Sequence, residues 1–540
     1  MKSHVRIVLF AALALLGACS AQAVAKQSTK SSATAQIERL GTISFPVSCS
    51  PKVQMDFNRA VALLDSFQYD LAQRAFADIA RRDPRCAMTY WGEAMTLYHE
   101  LWKWPGPQDL RQGRKYIEHA EVAGAESERE RLYIKAIDAY YQENPAMSNE
   151  DRAVAYSNAM AELHRRYPDD DNAAAFYALS LIAVRSSDRS ANMARRLRAI
   201  DILQRLFKEE PNNPAAAHYL IHATDTPQLA HLGLEAARRY GSIAPDAPHA
   251  LHMPAHIFTE LGMWQDSVAS NLASIAAAER ITNSHVIDDS GDELHALSFL
   301  EYAYLQAGQD AEAQRVIDEI KTVPGASTTD IATYRTMFEA MYLEETHQWK
   351  SAAALVPLRG SFPIARSDAY AARAIAEAHL GNLTAARSDL GGTGQAQQAM
   401  RVAMKDVGDP YSGESLGQLE IGAWVDFASG RPKEAIASMK AAIDMSKIPV
   451  RMGGVPEIPT EEMMGDLLMA LHRPSDALAA YQDALQTTPD RFDSIYGAAR
   501  AAQLSGNNAA AKRYYGELLK ICGPDADRGE IQQARKFITD

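Results

Sequence analysis

The stretch Phe67-Gln-Tyr69-Asp-Leu-Ala72-Gln-Arg-Ala-Phe76-Ala-Asp-Ile79-Ala-Arg-Arg-Asp-Pro84 decides the fold. Tyr69, Ala72, Phe76 and Ile79 recur at helical spacing, so they lie on one face of a helix. The small Ala72 lets a second helix come close. The large Phe76 fills the hole between successive pairs. Pro84 cannot continue the helix and turns the chain. The pattern returns in Ala199, Leu203, Leu206 and Pro211, then in Gly308, Ala313, Ile317 and Ile320, and faintly in Gly381 with Ala386. Gly430, Ala435, Met439 and Ala442 follow, then Ala477, Tyr481, Ala484 and Pro489, and 34 residues later Gly506, Ala511, Tyr515 and Leu518. No alternating apolar run is long enough for a strand. The expected fold is all-α: a right-handed superhelical solenoid of roughly a dozen helical hairpins, some degenerate.

These offsets resemble the second half of a tetratricopeptide repeat. A wider set resembles a family of exported bacterial tetratricopeptide-repeat proteins whose biochemical role is largely undefined. It comprises Phe45-Pro-Val-Ser-Cys49, Cys86-Ala-Met-Thr-Tyr-Trp-Gly-Glu-Ala-Met95, His218-Tyr-Leu-Ile-His222, residues 244–258, Glu301-Tyr-Ala-Tyr-Leu-Gln306, Thr488-Pro-Asp-Arg-Phe492 and Tyr496-Gly-Ala-Ala-Arg500. The resemblance implies a fold and a location, and first helices that line a concave surface. It supplies no substrate.

The 540 residues are 47% hydrophobic and 23% charged, with a net charge of −13. That composition gives ample core and none of the basic stripe of a nucleic-acid binder, so no nucleic-acid partner is expected. Lys2 and Arg6 precede a short apolar run, Ile7 to Leu16, that is too short to span a bilayer and reads as an export signal. The run ends in Leu16-Gly-Ala-Cys19, which resembles a lipobox, with Cys19 the lipidated residue. The rival cut follows Ala21-Gln-Ala23. Export to the periplasm is expected, with membrane attachment only through a lipid on Cys19. The expected divisions are a signal at 1–19, a tether at 20–40, a first array at 41–390, a Gly-rich break at 391–417 and a second array at 418–540. In an oxidising compartment Cys49 and Cys86 are a candidate disulfide, with two buried thiols as the alternative. Cys522 reads as a packed thiol.

Eight of the fifteen histidines fall between Pro214 and Leu300. On a helix from Pro214 to Thr224, His218 and His222 lie about 40° apart, with Asp225 on the same stripe. On a helix from Pro248 to Leu261, His252 and His256 lie about 60° and about 20° from His249. His295 belongs to the next first helix, and His231 and His285 read as surface positions. Histidines at i and i+4 can clamp a metal, and imidazoles with a carboxylate suit Zn or Cu. The metal reading takes His218, His222, Asp225, His249, His252, His256 and His295. The rival reading has the histidines as groove-lining hydrogen-bonding groups, joined by Tyr90, Trp91, Glu93 and His99 around a protein or peptide partner. Trp91 also reads as core. Gly413-Glu-Ser-Leu-Gly417 matches G-x-S-x-G but lacks the preceding strand that exposes such a serine. The sequence therefore favours an exported partner-binding scaffold over an enzyme, with a Zn or Cu protein, a hydrolase or oxidase, as the alternative.

Overall fold

The spacing of small and large residues read from the sequence recurs in hairpins along the chain. The computed structural model describes residues 38–101, 104–186, 188–284, 289–403, 416–446, 454–523 and 525–539. The signal, Cys19, most of the tether, Trp102, His285 and residues 413–415 lie outside them. The helices are α1 (Gln54–Asp65), α2 (Tyr69–Arg82), α3 (Ala87–Met95), α4 (Pro107–Ala123), α5 (Glu128–Tyr140), α6 (Asn149–Arg166), α7 (Asp171–Ala183), α8 (Arg189–Glu209) and α9 (Pro214–Thr224). Next come α10 (Ala230–Ile243), α11 (Pro248–His252), α12 (Pro254–Glu260), α13 (Trp264–Asn283), α14 (Ser290–Gln306), α15 (Asp310–Glu319), α16 (Thr328–Glu345), α17 (Trp349–Ala353) and α18 (Pro363–His379). The chain ends with α19 (Leu383–Ala403), α20 (Leu416–Ala428), α21 (Pro432–Ser446), α22 (Thr460–Ala470), α23 (Pro474–Thr487), α24 (Phe492–Leu504), α25 (Asn508–Ile521) and α26 (Glu530–Thr539). No strand occurs among the described residues. No helix there is long and apolar enough to cross a membrane. Successive helices pack in order, and the result is the expected all-α tetratricopeptide-type solenoid.

The spacing read from the sequence is what packs. Ala72, Phe76 and Ile79 are fully buried, as are Ala435, Met439 and Ala442, and Ala511 with Leu518. In two hairpins the large residue of the second helix sits on glycine. A Cβ on Gly92 would lie 2.4 Å from the Phe76 ring. Tyr481 is held the same way between Gly465 and Gly497, where added Cβ atoms would meet it at 2.6 and 2.4 Å. The tight turn inside several hairpins uses a left-handed residue. Glycine supplies it at Gly262, Gly308, Gly381, Gly430 and Gly506. Phe67, His347 and His472 take the same conformation at φ 54°, 51° and 56°, which costs a residue with a Cβ roughly 1–2 kcal/mol.

α3 ends at Met95, where Thr96 Oγ1 bonds the Glu93 carbonyl and the turn tightens. α5 starts at Glu128, after a capping box of Ser127 and Glu130. Two local expectations change. The helix expected from Pro248 to Leu261 is two pieces, because Pro254 has no N–H to continue the ladder. The Gly-rich break is helical at its start: Gly391 to Gly394 lie inside α19, where bare Gly392 admits the Tyr370 ring of α18. Residues 39–540 form one compact unit.

The solenoid turns tightly enough to touch itself. Cys49 and Cys86 form a disulfide that ties the leading segment to the start of α3. In that segment Phe45 inserts among Phe57, Trp91 and Tyr133, with ring centroids 5.0–5.5 Å away. Thr42 N bonds Asn212 O at 2.9 Å, and Arg39 pairs with Asp246. The end of α1 meets α9, where Tyr219 donates to Asp65 Oδ1 at 3.0 Å. Further on, α24 reaches back to α14 and α16. There the fully buried Arg491 pairs with Glu345 and Glu462 and donates to Tyr302.

Candidate metal centre

The self-contact of the solenoid gathers six histidines from four helices. Pro214 opens α9 behind the N-cap Asn213, which accepts from Ala216 N, so His218 and His222 project one turn apart into the interior. Pro248 opens α11 and Pro254 opens α12, which places His249, His252 and His256 on one inner face despite the break. His295 comes from α14.

They form two trios, and within each trio one ligand atom per histidine lies within 4.8 Å of the others. In the first, His222 Nε2 and His249 Nε2 lie 3.0 and 3.1 Å from His218 Nε2. In the second, His252 Nε2 and His256 Nε2 are 3.0 Å apart, and the His295 ring centroid is 4.6 and 5.8 Å from theirs. The trios adjoin: ring centroids are 6.4 Å apart for His222 and His256, and 6.3 Å for His249 and His252. Each trio carries a phenylalanine wall. Phe67 lies 4.3, 5.5 and 5.6 Å from His218, His222 and His249. Phe299 lies 5.0, 4.5 and 5.4 Å from His252, His256 and His295.

The outer nitrogens decide the tautomers. His218 Nδ1 lies 2.5 Å from the Asp65 carbonyl, which can only accept, so Nδ1 carries the proton and Nε2 a lone pair. His252 Nδ1 lies 2.7 Å from Asn271 Oδ1; the Asn271 amide donates to Ser267 O, which turns its oxygen toward the histidine. His256 Nδ1 lies 3.0 Å from the Asp225 carboxylate. Such outer partners are the usual support of metal-ligating imidazoles. Burial pushes His218 and His295 down to about 3, and His222, His249 and His252 well below the ordinary histidine value, so these rings are neutral at pH 7.

The structure brings together six of the histidines grouped from the sequence and divides them three and three. Asp225, grouped with the ligands, instead bonds His256 from outside. The groove reading is corrected: five of the histidines are at most 6% exposed. Trp91 is core, edge-on to Tyr133 and Phe176. Tyr90 packs on His119, and His99 stacks on Tyr69 at 4.0 Å. Glu93 is buried, and burial raises it to about 7. Tyr69 in turn stacks on Phe67 at 5.3 Å, so His99 lies two rings from the first trio. His231 is exposed, as expected. The sequence reading missed Asp65, Phe67, Asn271 and Phe299. Only Phe67 left a signal, as a bulky residue at the turn position that glycine holds in other hairpins.

Against known proteins, no family model and no curated protein matches the chain. Among solved structures, it is similar to a human IFIT1 dimer with m7Gppp-AAAA, at 13% identity and a TM-score of 0.35, over 81% of this chain and 90% of that one.

Proposed function

We propose that this solenoid is a metal-binding protein that holds two ions side by side, one in each histidine trio. The contact between His252 Nε2 and His256 Nε2, at 3.0 Å, carries the reading. Both rings have their Nδ1–H committed to an acceptor, so two lone pairs face each other in a buried space. Only a cation between them, or a proton that makes His256 an imidazolium, relieves that contact. In the first trio, two nitrogens converge on the single lone pair of His218 Nε2. Six imidazole donors suit Zn or Cu, and Zn–N bonds of about 2.0–2.1 Å need only a small outward shift of each ring.

The protein purified without tags or chelators is expected to carry about two equivalents of metal, the number of trios. A His222→Ala, His252→Ala double variant should lose them and keep its helicity. No metal after supply of Zn and Cu, with His256 found protonated by NMR, would leave the proton as the occupant.

Partner binding is the second proposal: an exported scaffold that acts in the periplasm. A cleft of about 730 Å³ beside the leading segment favours it. Asp169, Asp171 and Glu210 line this cleft and suit a basic segment of a protein or peptide. Capture of partners by the wild type, lost on Asp169→Lys with Asp171→Lys, tests it.

A further inference from the structure

The two trios share a boundary. His222 and His249 of the first and His252 and His256 of the second form a closed ring of four imidazoles. Between ring centroids its sides are 6.1 Å from His222 to His249, 6.3 Å from His249 to His252, 4.9 Å from His252 to His256 and 6.4 Å from His256 back to His222. An ion held by the first trio sits against one side of this ring, and an ion held by the second sits against the opposite side.

Each ion is left short of a ligand. Zinc held by three histidines takes a fourth ligand, water or substrate. Phe67 packs on all three rings of the first trio and Phe299 on all three of the second, and a phenyl ring offers no donor. A further ligand therefore belongs where the trios adjoin. His295, the one partly buried histidine of the six, marks the edge by which a small molecule enters.

Charge and distance select that ligand. Histidine binds metal as the neutral imidazole, and neither cluster includes a carboxyl. The nearby carboxyls are engaged behind the rings: Asp225 accepts from His256, and Asp65 accepts from Tyr219. Two divalent ions on neutral donors in a buried space favour an anion in the open positions, because buried charge is costly unless it is paired. Two ions that share a single oxygen stand about 3.5–4 Å apart. The sides of the ring that link the trios are 6.3 and 6.4 Å long, so ions seated against the other two sides are held farther apart. A carboxylate that gives one oxygen to each ion, at about 2.0–2.2 Å, adds its own O–C–O width to the span.

We infer that the two trios act as one dinuclear site that binds a small carboxylate, with one oxygen on each ion. The inference rests on the two-ion reading above.

The test uses the full chain loaded with two equivalents of Co(II), whose visible bands report its ligands, and acetate as the probe. Acetate at fixed ionic strength should shift the bands with a stoichiometry of one per protein, and chloride at equal concentration should not displace it. The two cobalt spins should couple when acetate is bound. In the chain with His252→Ala and His295→Ala, loaded with one Co(II), acetate should bind about 100–10,000-fold more weakly, the range for loss of one of two linked anchors. Two acetates bound independently to the wild type, uncoupled spins, or displacement by chloride overturns the inference and leaves two separate metal sites standing. Failure of the wild type to take up metal removes both.

Discussion

The carbonyl oxygen of Asp65 lies 2.5 Å from Nδ1 of His218, 153 residues later in the chain. That contact joins the end of the first helix to the first metal-ligand candidate. The closure of one superhelical turn and the tautomer of a ligand are therefore the same hydrogen bond.

Metal removal should loosen that closure. With the ion gone, the converging nitrogens repel and His218 no longer holds Asp65 firmly. Amide exchange at the end of α1 should speed by about tenfold on chelation, equivalent to about 1.4 kcal/mol, while α25 stays unchanged. Equal exchange with and without metal would show that the ion plays no part in holding α1.

Asn271 should act on metal affinity without being a ligand. Its oxygen fixes the His252 proton on Nδ1. Asn271→Leu removes that acceptor and is expected to weaken binding by about 10–100-fold. Asn271→Asp, which restores an acceptor, should recover most of it. Competition with a chromophoric chelator reads both.

Cys49→Ser should be felt beyond the first hairpins. The bond closes a sequence separation of 37 residues, worth roughly 4 kcal/mol in the chain-entropy description. One continuous core runs from Leu40 to Phe258 and includes the packing around the histidines. Denaturation followed at Trp91 should therefore shift to lower denaturant together with metal release. Metal release at the wild-type midpoint would separate the two.

Stability should fall as pH rises through neutrality, in part at Glu420. Burial raises this carboxyl to about 7, and Thr460 Oγ1 donates to it at 2.6 Å. Its folded value lies above its unfolded one. Its stabilisation is thus complete below about pH 4.5 and lost as pH climbs through about 7, where the unfolded chain gives up the proton more readily. At 1.36 kcal/mol per unit, this amounts to roughly 3 kcal/mol. Glu420→Gln should gain on the wild type by that amount between pH 4 and pH 8. A constant gap would rule out Glu420 as a source.

Much of the fold was legible because it is local. Ala72, Phe76 and Ile79 announce a helix face, and Ala477, Tyr481 and Ala484 announce the same face 400 residues later. The glycines that receive Phe76 and Tyr481 were not read as sockets, since Gly92 and Gly497 belong to the next hairpin in each case. That the histidines cluster was legible from i, i+4 spacing. Their division was not. It depends on where α11 stops at Pro254 and on how far the superhelix turns before α1 meets α9. Asp65 acts through its carbonyl, which every residue has, so no side-chain pattern marks it. Asn271 stands on a second helix, away from the histidine-bearing first helices, and no spacing links it to His252.

Repeat arrays commonly tolerate gain or loss of a unit, because each contacts only its neighbours. The bond between Asp65 and His218 takes that freedom away here. One more hairpin between α1 and α9 would advance α9 along the superhelix axis and carry His218 out of reach of Asp65 and Phe67. Duplication or deletion of a repeat in this interval, harmless to an open solenoid, would dismantle the centre in a single event. The unit count between residues 65 and 218 is thus as much a part of the site as the histidines, and an engineer who wishes to lengthen this protein should add repeats after α26.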